Sequence, residues 1–449
     1  MRIAINLPSV IIDDRFQRKR KSKFLRGGNI KTFQKRIVVL LIALAVLCSM
    51  VGCAQKASTP SDNSQTTSAD TQTGTESSGD TFRIGLSSSF TGGTAQEGIE
   101  ARNAAEMAIA YVNANGGFNG KQGVLATTYD NKGSPEEAVK AAQKLIENED
   151  IDAAIGSNSS AEMLASGPIF EEAQVFTIGM GTSATWMQQG WKYIIRCSVN
   201  YDFVADEVAK MVSDMGITEM AVMKDQQEAA LSFIKAFETA VGDKVSIVAE
   251  ESCEVDDTDL SSQCARIVAA KPQAILMSMT SNDAGYFVKQ IRQNGYTGLI
   301  FDKESYYANL AEISGWDNAN YILFANPYVT YNDISECDID IMHDFLERYI
   351  DIYGEIPRTE IGYRAWDAVM VIAEATNLAK STDTEDMLAV VPQIKIDGLG
   401  GTMDYSAGDG EPYHNVSRFL LVDKVNISWE KWFNEGGYDG YKTQTGNAY

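Results

Sequence analysis

From Phe82 onward the chain alternates short apolar runs with longer stretches whose apolar positions recur at helical spacing. "FRIGLS", "GVLATTYDN", "IDAAIGS", "VFTIGM", "EMAVMK", "VSIVAE", "QAILMSM" and "GLIFD" are too short for helices, and each predicts a strand. Between the first two, "GIEARNAAEMAIAYVNANGG" places Ile99, Ala105, Met107, Ile109 and Val112 at helical spacings and stops at Asn115-Gly116-Gly117. "SPEEAVKAAQKLI" opens with Ser134, Pro135 and Glu137, an N-cap, a first-turn proline and a capping-box partner. "EMLASGPIFEEA", "DFVADEVAKMV", "LSFIKAFETAV", "LSSQCARIVAA" and "AGYFVKQIRQNG" predict further helices. Strands separated by helices imply parallel sheets covered on both faces. With about ten strands, two doubly wound lobes are more economical than one large sheet, and such sheets bind ligands at the C-terminal ends of their strands.

Upstream the pattern changes twice. Ile37 to Cys48 is a run of twelve apolar residues behind Lys31, Lys35 and Arg36. That suits an export signal, whose apolar region runs about 7–15 residues, better than a membrane span, which needs about 20. The run closes on Met50-Val51-Gly52-Cys53, which resembles the lipobox of bacterial lipoproteins. The resemblance implies a leader over residues 1–53, with the Cys53 thiol joined to lipid. Residues 54–80 are dominated by Ser, Thr, Asp and Gly, cannot bury enough surface to fold, and predict a disordered tether spanning about 30 Å.

Charge narrows the partners. The whole chain carries −23, and eleven of its Lys/Arg but two of its Asp/Glu lie before residue 54, leaving −32 on the remainder. Nucleic acid and anionic lipid both need basic patches, so direct docking on either is not expected. Cys197, Cys253, Cys264 and Cys337 show no CxxC spacing, and His343 and His414 are the two histidines, so no Cys/His zinc site and no cofactor are expected. Cys253 and Cys264 flank an acidic loop and are read either as a small disulfide or as free buried thiols.

Four stretches taken together carry a family resemblance: "FRIGLSSSFTGGTAQEGIEARNAAEMAIAYVNANGGFNGKQ", "YDNKGSPEEAVKAAQKLI", "AAIGSNSSAEMLASGPIFEEAQVFTIGMGTSAT" and "DDTDLSSQCARIVAAKPQAILMSM". In that order, from about Phe82 to about Val422, the chain resembles the Leu/Ile/Val-type periplasmic binding proteins, the type I solute-binding subunits of ABC importers. The resemblance implies an α/β type I periplasmic-binding-protein fold, two doubly wound parallel-sheet lobes joined by three crossover segments. One lobe would comprise residues 82–200 with 328–405, the other 201–327 with 406–449, with hinges near Asn200, Pro327 and Ser406.

Strand ends that open into helices present unpaired N–H groups and a positive dipole end, which suits an anion. "IGSNSSAEM" and "IGMGTSAT" are both of this kind. The resemblance implies that Ser160, Gly181 through its backbone and Ser183 through its hydroxyl hold a ligand carboxylate, with Ser159, Trp186, Tyr201 and Asp202 close by in the pattern. The alternative for such serines is helix capping. An acid facing a ligand ammonium would follow "LIFDKES", where Lys303 takes the family position and Asp302 and Glu304 flank it; which of the two acids faces inward stays open. Positions commonly Tyr in the family are here Glu97, Glu228 and Thr280. Carboxylates in a cleft wall cost desolvation energy unless paired, so the ligand is expected to be more polar than leucine, cationic or amide-bearing; the alternative places both acids at a solvated rim.

No GxSxG elbow, HExxH or phosphate loop is present, so catalysis is not expected, a carboxylate-based hydrolase being the enzyme alternative. The reading is a lipid-anchored, extracytoplasmic, monomeric binding protein that closes on an amino acid or related small polar solute and delivers it to ABC permease subunits. A ligand sensor reporting to a membrane receptor is the rival. The final "KTQTGNAY", with no further domain after it, favours delivery. No metal site is assigned.

Overall fold

The computed structural model describes residues 81–445 apart from residues 149, 305, 306 and 415; the expected leader, Cys53 and tether lie outside the described residues. The first part of the chain runs β1 (Thr81–Ser88), α1 (Ala95–Ala114), β2 (Gln122–Asp130), α2 (Pro135–Asn148), β3 (Ala153–Ile155), α3 (Ser160–Glu172), β4 (Phe176–Gly179) and β5 (Ile194–Arg196). These strands form one parallel sheet in the order β2-β1-β3-β4-β5. Phe82, Ile84 and Leu86 on one face of β1 and Gly85 and Ser87 on the other are all buried, as a strand covered on both faces requires.

The middle part runs α4 (Tyr201–Asp214), β6 (Glu219–Lys224), α5 (Glu228–Val241), β7 (Ser246–Ser252), α6 (Ser261–Ala270), β8 (Ala274–Ser278), α7 (Ser281–Gln293), β9 (Leu299–Asp302), α8 (Tyr307–Ser314), α9 (Trp316–Ala319) and β10 (Ile322–Ala325). Then come α10 (Asp340–Tyr353), α11 (Ile361–Ala379), α12 (Thr384–Val390), β11 (Lys395–Gly398), β12 (Gly401–Asp404), β13 (Arg418–Val422), β14 (Val425–Ser428), α13 (Trp429–Asn434) and α14 (Gly437–Thr445). The second sheet has the order β14-β13-β10-β9-β8-β6-β7, parallel except at one edge, where β13 runs antiparallel to both β10 and β14. Helix α11 returns to pack on α1 beside the first sheet.

The chain therefore passes between the two sheets three times, near residues 197–200, 326–330 and 405–417. The passages are knitted by buried phenols. Tyr328 Oη lies 2.9 Å from Asp367 Oδ2 and 3.2 Å from the Cys197 carbonyl, and Tyr405 Oη donates to the Arg196 carbonyl at 2.5 Å. Asp367 also accepts from the Leu399 N–H at 3.0 Å, and burial pushes its carboxyl up to about 7.

Three local readings come out differently or more sharply than the pattern alone allows. Glu137 does not complete a capping box; the Ser134 N–H it would accept from is held by the Asn131 carbonyl at 3.0 Å, and its carboxylate takes Lys132 at 3.2 Å and Lys140 at 2.6 Å instead. The pattern passes over β10 and the β13–β14 edge, whose strands follow loops without an alternating signature. Cys253 and Cys264 are free thiols within one apolar cluster, and burial pushes both up to about 12. Alkylation of native protein at pH 8 is therefore expected to be slow at both and to become fast on unfolding, since the thiolate is the nucleophile. A mass short of these two alkyl groups after denaturation without reductant would reveal a disulfide instead.

Candidate functional site

The C-terminal ends of strands from both sheets face one another across a cavity of about 600 Å³. On the first-sheet side, the turn after β1 carries Gly93 and Thr94, and Glu97 follows in the first turn of α1. Glu97 Oε2 accepts from Asn158 Nδ2 at 2.7 Å, and Asn158 Oδ1 accepts from Ser88 Oγ at 3.0 Å, so a side chain beyond β3 fixes the acid beyond β1. Ser159 stands at the N-cap position of α3 in an extended conformation, without a side-chain bond to the helix, and Ser160 opens it. Ser160 Oγ accepts from the N–H groups of Thr182 at 3.1 Å and Ser183 at 3.0 Å, which pins the turn after β4 against the helix start. Beneath them Glu162 accepts from Asn131 Nδ2 at 2.7 Å and from the Ser157 hydroxyl.

The second-sheet side is built from the ends of β6, β8 and β9. Asp225 Oδ1 accepts from the Gln227 N–H at 2.9 Å, and its Oδ2 accepts from the Thr280 N–H at 2.9 Å. Lys303 Nζ donates to the Met279 carbonyl at 2.9 Å and lies 3.4 Å from Glu304 Oε2. Tyr201, Ile361 and Arg364 line the cavity near the passages between the sheets. Arg364 donates to the Met180 carbonyl at 3.2 Å and to Glu304 Oε1 at 3.2 Å, and is paired with Glu360.

Contacts also cross the cleft. Ser183 Oγ donates to Glu228 Oε1 at 2.7 Å, and the Arg364–Glu304 pair joins α11 to the loop after β9. A Cβ on Gly93 would come 2.7 Å from Asp256 Oδ2, so at that lip the two sides already touch and glycine's missing side chain is what permits it.

Of the residues expected from the sequence, Glu97, Ser159, Ser160, Tyr201, Glu228, Thr280 and Glu304 line the cavity. Five stand back from it, each for a local reason. Gly181 is pressed under Ser160, and its carbonyl accepts from Ser198 Oγ at 2.6 Å. Ser183 spends its hydroxyl on Glu228, so Thr182 beside it is the residue of that turn that reaches the cavity. Trp186 is fully buried with the Arg196 guanidinium 4.7 Å from its ring centroid, and is core. Asp202 is exposed on α4 and faces a separate depression with Asp206 and Lys235. Asp302 is buried behind the wall, accepting from the Lys303 N–H at 2.7 Å, which leaves Glu304 as the acid of that pair at the cavity.

The pattern passed over Asn158, Thr182, Asp225 and Arg364 as site residues. Arg364 had a signal, an arginine inside the apolar helical run "YRAWDAVMVIAEA". The other three had none, because turn residues at strand ends look alike whether they cap or line.

Electrostatically the cavity is acidic. Burial pushes Glu97 up to about 7 against the pull of Arg364, and does the same to Glu162. Burial, then the neighbouring Glu360, holds Glu304 well above the usual carboxylate range. Burial opposes the charge on Arg364, but Glu360 and Glu304 outweigh it and keep the guanidinium protonated. Outside the cavity, His343, Asp344 and Glu347 bring ligand atoms within 4.8 Å of one another on one turn of α10, and do not line the cleft. No described helix is long and apolar enough to cross a membrane.

Ser160 carries more of the local structure than its size suggests. Ser160→Ala removes the acceptor shared by two buried N–H groups, and an orphaned buried donor costs about 1–3 kcal/mol. A loss of that order in urea unfolding is expected, and an unchanged midpoint would contradict it.

A family model for periplasmic binding proteins matches residues 81–423. Leu/Ile/Val-binding protein homolog 7 of Brucella abortus is 23% identical over 342 residues, covering 72% of this chain and 84% of that protein. A leucine-, isoleucine-, valine-, threonine- and alanine-binding protein of Pseudomonas aeruginosa is 27% identical over 229 residues, 50% of this chain and 61% of that one. Among solved structures, the branched-chain amino acid transporter substrate binding protein of Streptococcus pneumoniae in complex with isoleucine superposes with a TM-score of 0.67. It is 23% identical, covering 78% of this chain and 99% of that one. A solute binding protein of an ABC transporter from Rhodopseudomonas palustris, in complex with 3,4-dihydroxy benzoic acid, gives 0.69 at 20% identity, covering 78% and 97%.

Proposed function

The chain belongs to the periplasmic binding protein family, and from that premise we propose that it is an extracytoplasmic substrate-binding protein of an ABC importer. It captures an amino acid or related small polar solute between its two sheet-bearing halves and, held to the membrane by lipid on Cys53, delivers it to a permease. The observation that carries the reading is the cavity itself, walled by strand ends from both sheets and bridged by Ser183–Glu228 and Arg364–Glu304. A solute that touches both walls gains contacts available only when they are close, and so shifts an open–closed equilibrium toward closure. The three passages near residues 197–200, 326–330 and 405–417 are where the chain would bend.

Among its described residues the cleft holds carboxylates and hydroxyls without a nucleophile–base pair of the Ser–His or Cys–His kind, and the family's relatives are named for binding. The test is mass spectrometry of whatever is released when the purified protein is denatured, followed by calorimetry with that compound. Recovery of an amino acid that rebinds unchanged supports the reading, and chemical conversion of it would end the reading. Fatty-acid labelling that disappears in Cys53→Ala tests the anchor separately.

A further inference from the structure

We infer that the cleft takes a solute bearing a cationic side group, a guanidinium or an ammonium, with Glu97 as its chief partner. This rests on the solute-binding reading above and narrows it to one ligand chemistry. Six carboxylates line the cavity, Glu97, Glu162, Asp225, Glu228, Asp256 and Glu304, against three cations, Lys132, Lys303 and Arg364. The cations are already engaged. Lys132 lies 3.2 Å from Glu137 outside the cleft, Lys303 is 3.4 Å from Glu304, and Arg364 is shared by Glu304 and Glu360. Glu304 and Glu360 thus take the ion-pair contacts of Lys303 and Arg364, whose charges reach Glu97 only at longer range. Glu97, Glu162, Asp225 and Glu228 are held by neutral donors, Asn158, Asn131 with Ser157, the N–H groups of Gln227 and Thr280, and Ser183 respectively.

A second observation is independent of the charge count. Tyr201 is fully buried and lines the cavity, its Oη having no neighbour to bond but Thr182 beside it; Glu228 is half-buried on the same wall, and its Oε2 is enclosed without a partner among the described residues. Both oxygens can accept from a multi-donor cation. Arg364 Nε is likewise buried without a partner and supplies a donor for an acceptor oxygen on the same ligand. A solute with a cationic end and a carboxylate or carbonyl oxygen fits both needs, as the basic amino acids do. A neutral carboxamide would add one more neutral donor to carboxyl groups that already have them, and would bring no charge to favour their ionised forms.

The protonation states agree with this. Burial pushes Glu97 up to about 7, and Arg364, Glu100, Lys303 and Asn158 are the other groups that set it, with Glu162 acting on the same field. A bound cation favours the ionised form, so its binding should expel a proton from Glu97 below about pH 7 and strengthen as pH rises to that value.

The experiment is calorimetry of ligand-stripped protein with L-arginine, L-lysine, L-leucine and L-glutamine at pH 8 and pH 6, in two buffers of different ionisation enthalpy, for wild type and Glu97→Gln. Expected is a preference for arginine or lysine over leucine and glutamine of about tenfold or more, as charge-assisted hydrogen bonds give. Glu97→Gln should erase about that factor for the cation, cut proton release at pH 6 to the share that Glu162 supplies, and leave the melting temperature within a few degrees. Tightest binding of leucine or glutamine overturns the inference and leaves the solute-binding reading standing, as does cation binding indifferent to Glu97→Gln. Binding of none of the four overturns the inference, while recovery of another solute from the purified protein would keep the broader reading.

Discussion

Arg364→Met is expected to cost about 3–5 kcal/mol of stability at pH 8, the loss seen when one partner of a buried ion pair is removed. Arg364 is 1% exposed, and the change strands Glu304 and Glu360, which are 4% and 0% exposed, in a cleft floor already rich in carboxylates. It also removes the donor to the Met180 carbonyl at 3.2 Å, one residue before the Gly181–Ser183 turn. The sign of the pH dependence follows from burial. Glu304 is held above the usual carboxylate range even with the guanidinium present, so its folded pKa exceeds its unfolded one. Such a group contributes stability that is present below the unfolded pKa and lost as pH rises through the folded one. The variant's deficit should therefore be largest at pH 8 and shrink toward pH 5, read from urea unfolding at each pH. A deficit independent of pH would mean that Glu304 does not feel the guanidinium.

Gly98→Ala is expected to destabilise by about 1–3 kcal/mol or more, as overpacking against rigid atoms does. A Cβ there would sit 1.8 Å from the Ser89 carbonyl oxygen and 2.5 Å from its carbon, and both are backbone, so the helix or the turn must move. Gly98 follows Glu97 directly, and that movement would carry the acid away from Asn158, so ligand affinity should fall with stability. Gly362 on α11 supplies the contrast. Its Cβ would meet the Glu100 carbonyl at 3.4 Å, an ordinary contact, and alanine is favoured over glycine inside a helix by about 1 kcal/mol. Gly362→Ala is expected to leave the unfolding midpoint unchanged or raise it. Equal losses at both positions would refute the steric account.

Much of the fold is legible in the chain because its strands are covered on both faces and read as compact apolar runs. "FRIGLS", "QAILMSM" and "GLIFD" fall on β1, β8 and β9, and the long helical patterns fall on α1, α4 and α11. The β13–β14 edge escaped because an edge hairpin has one open side and a weaker pattern. At the site, the strand-end turns holding Ser159, Ser160, Glu97, Glu228 and Thr280 could be located from the apolar runs before them. Which turn residues face the cavity could not. Gly181 and Thr182 are adjacent in "GMGTS", yet one is packed under Ser160 and the other lines the cleft.

The sequence by itself determined the alternation of strand and helix, the acidic surface, and the polar turns where a ligand would meet the strand ends, because hydrophobic period and turn chemistry are local properties. Only the tertiary structure decided that Glu304 rather than Asp302 reaches the cavity and that Trp186 is core. It alone also showed Arg364 spending its charge on Glu304 and Glu360. The reason is distance along the chain. Glu360 is one helical turn from Arg364 and Lys303 adjoins Glu304, but Arg364 and Glu304 are sixty positions apart, and that they share one floor is set by how two sheets and three passages pack.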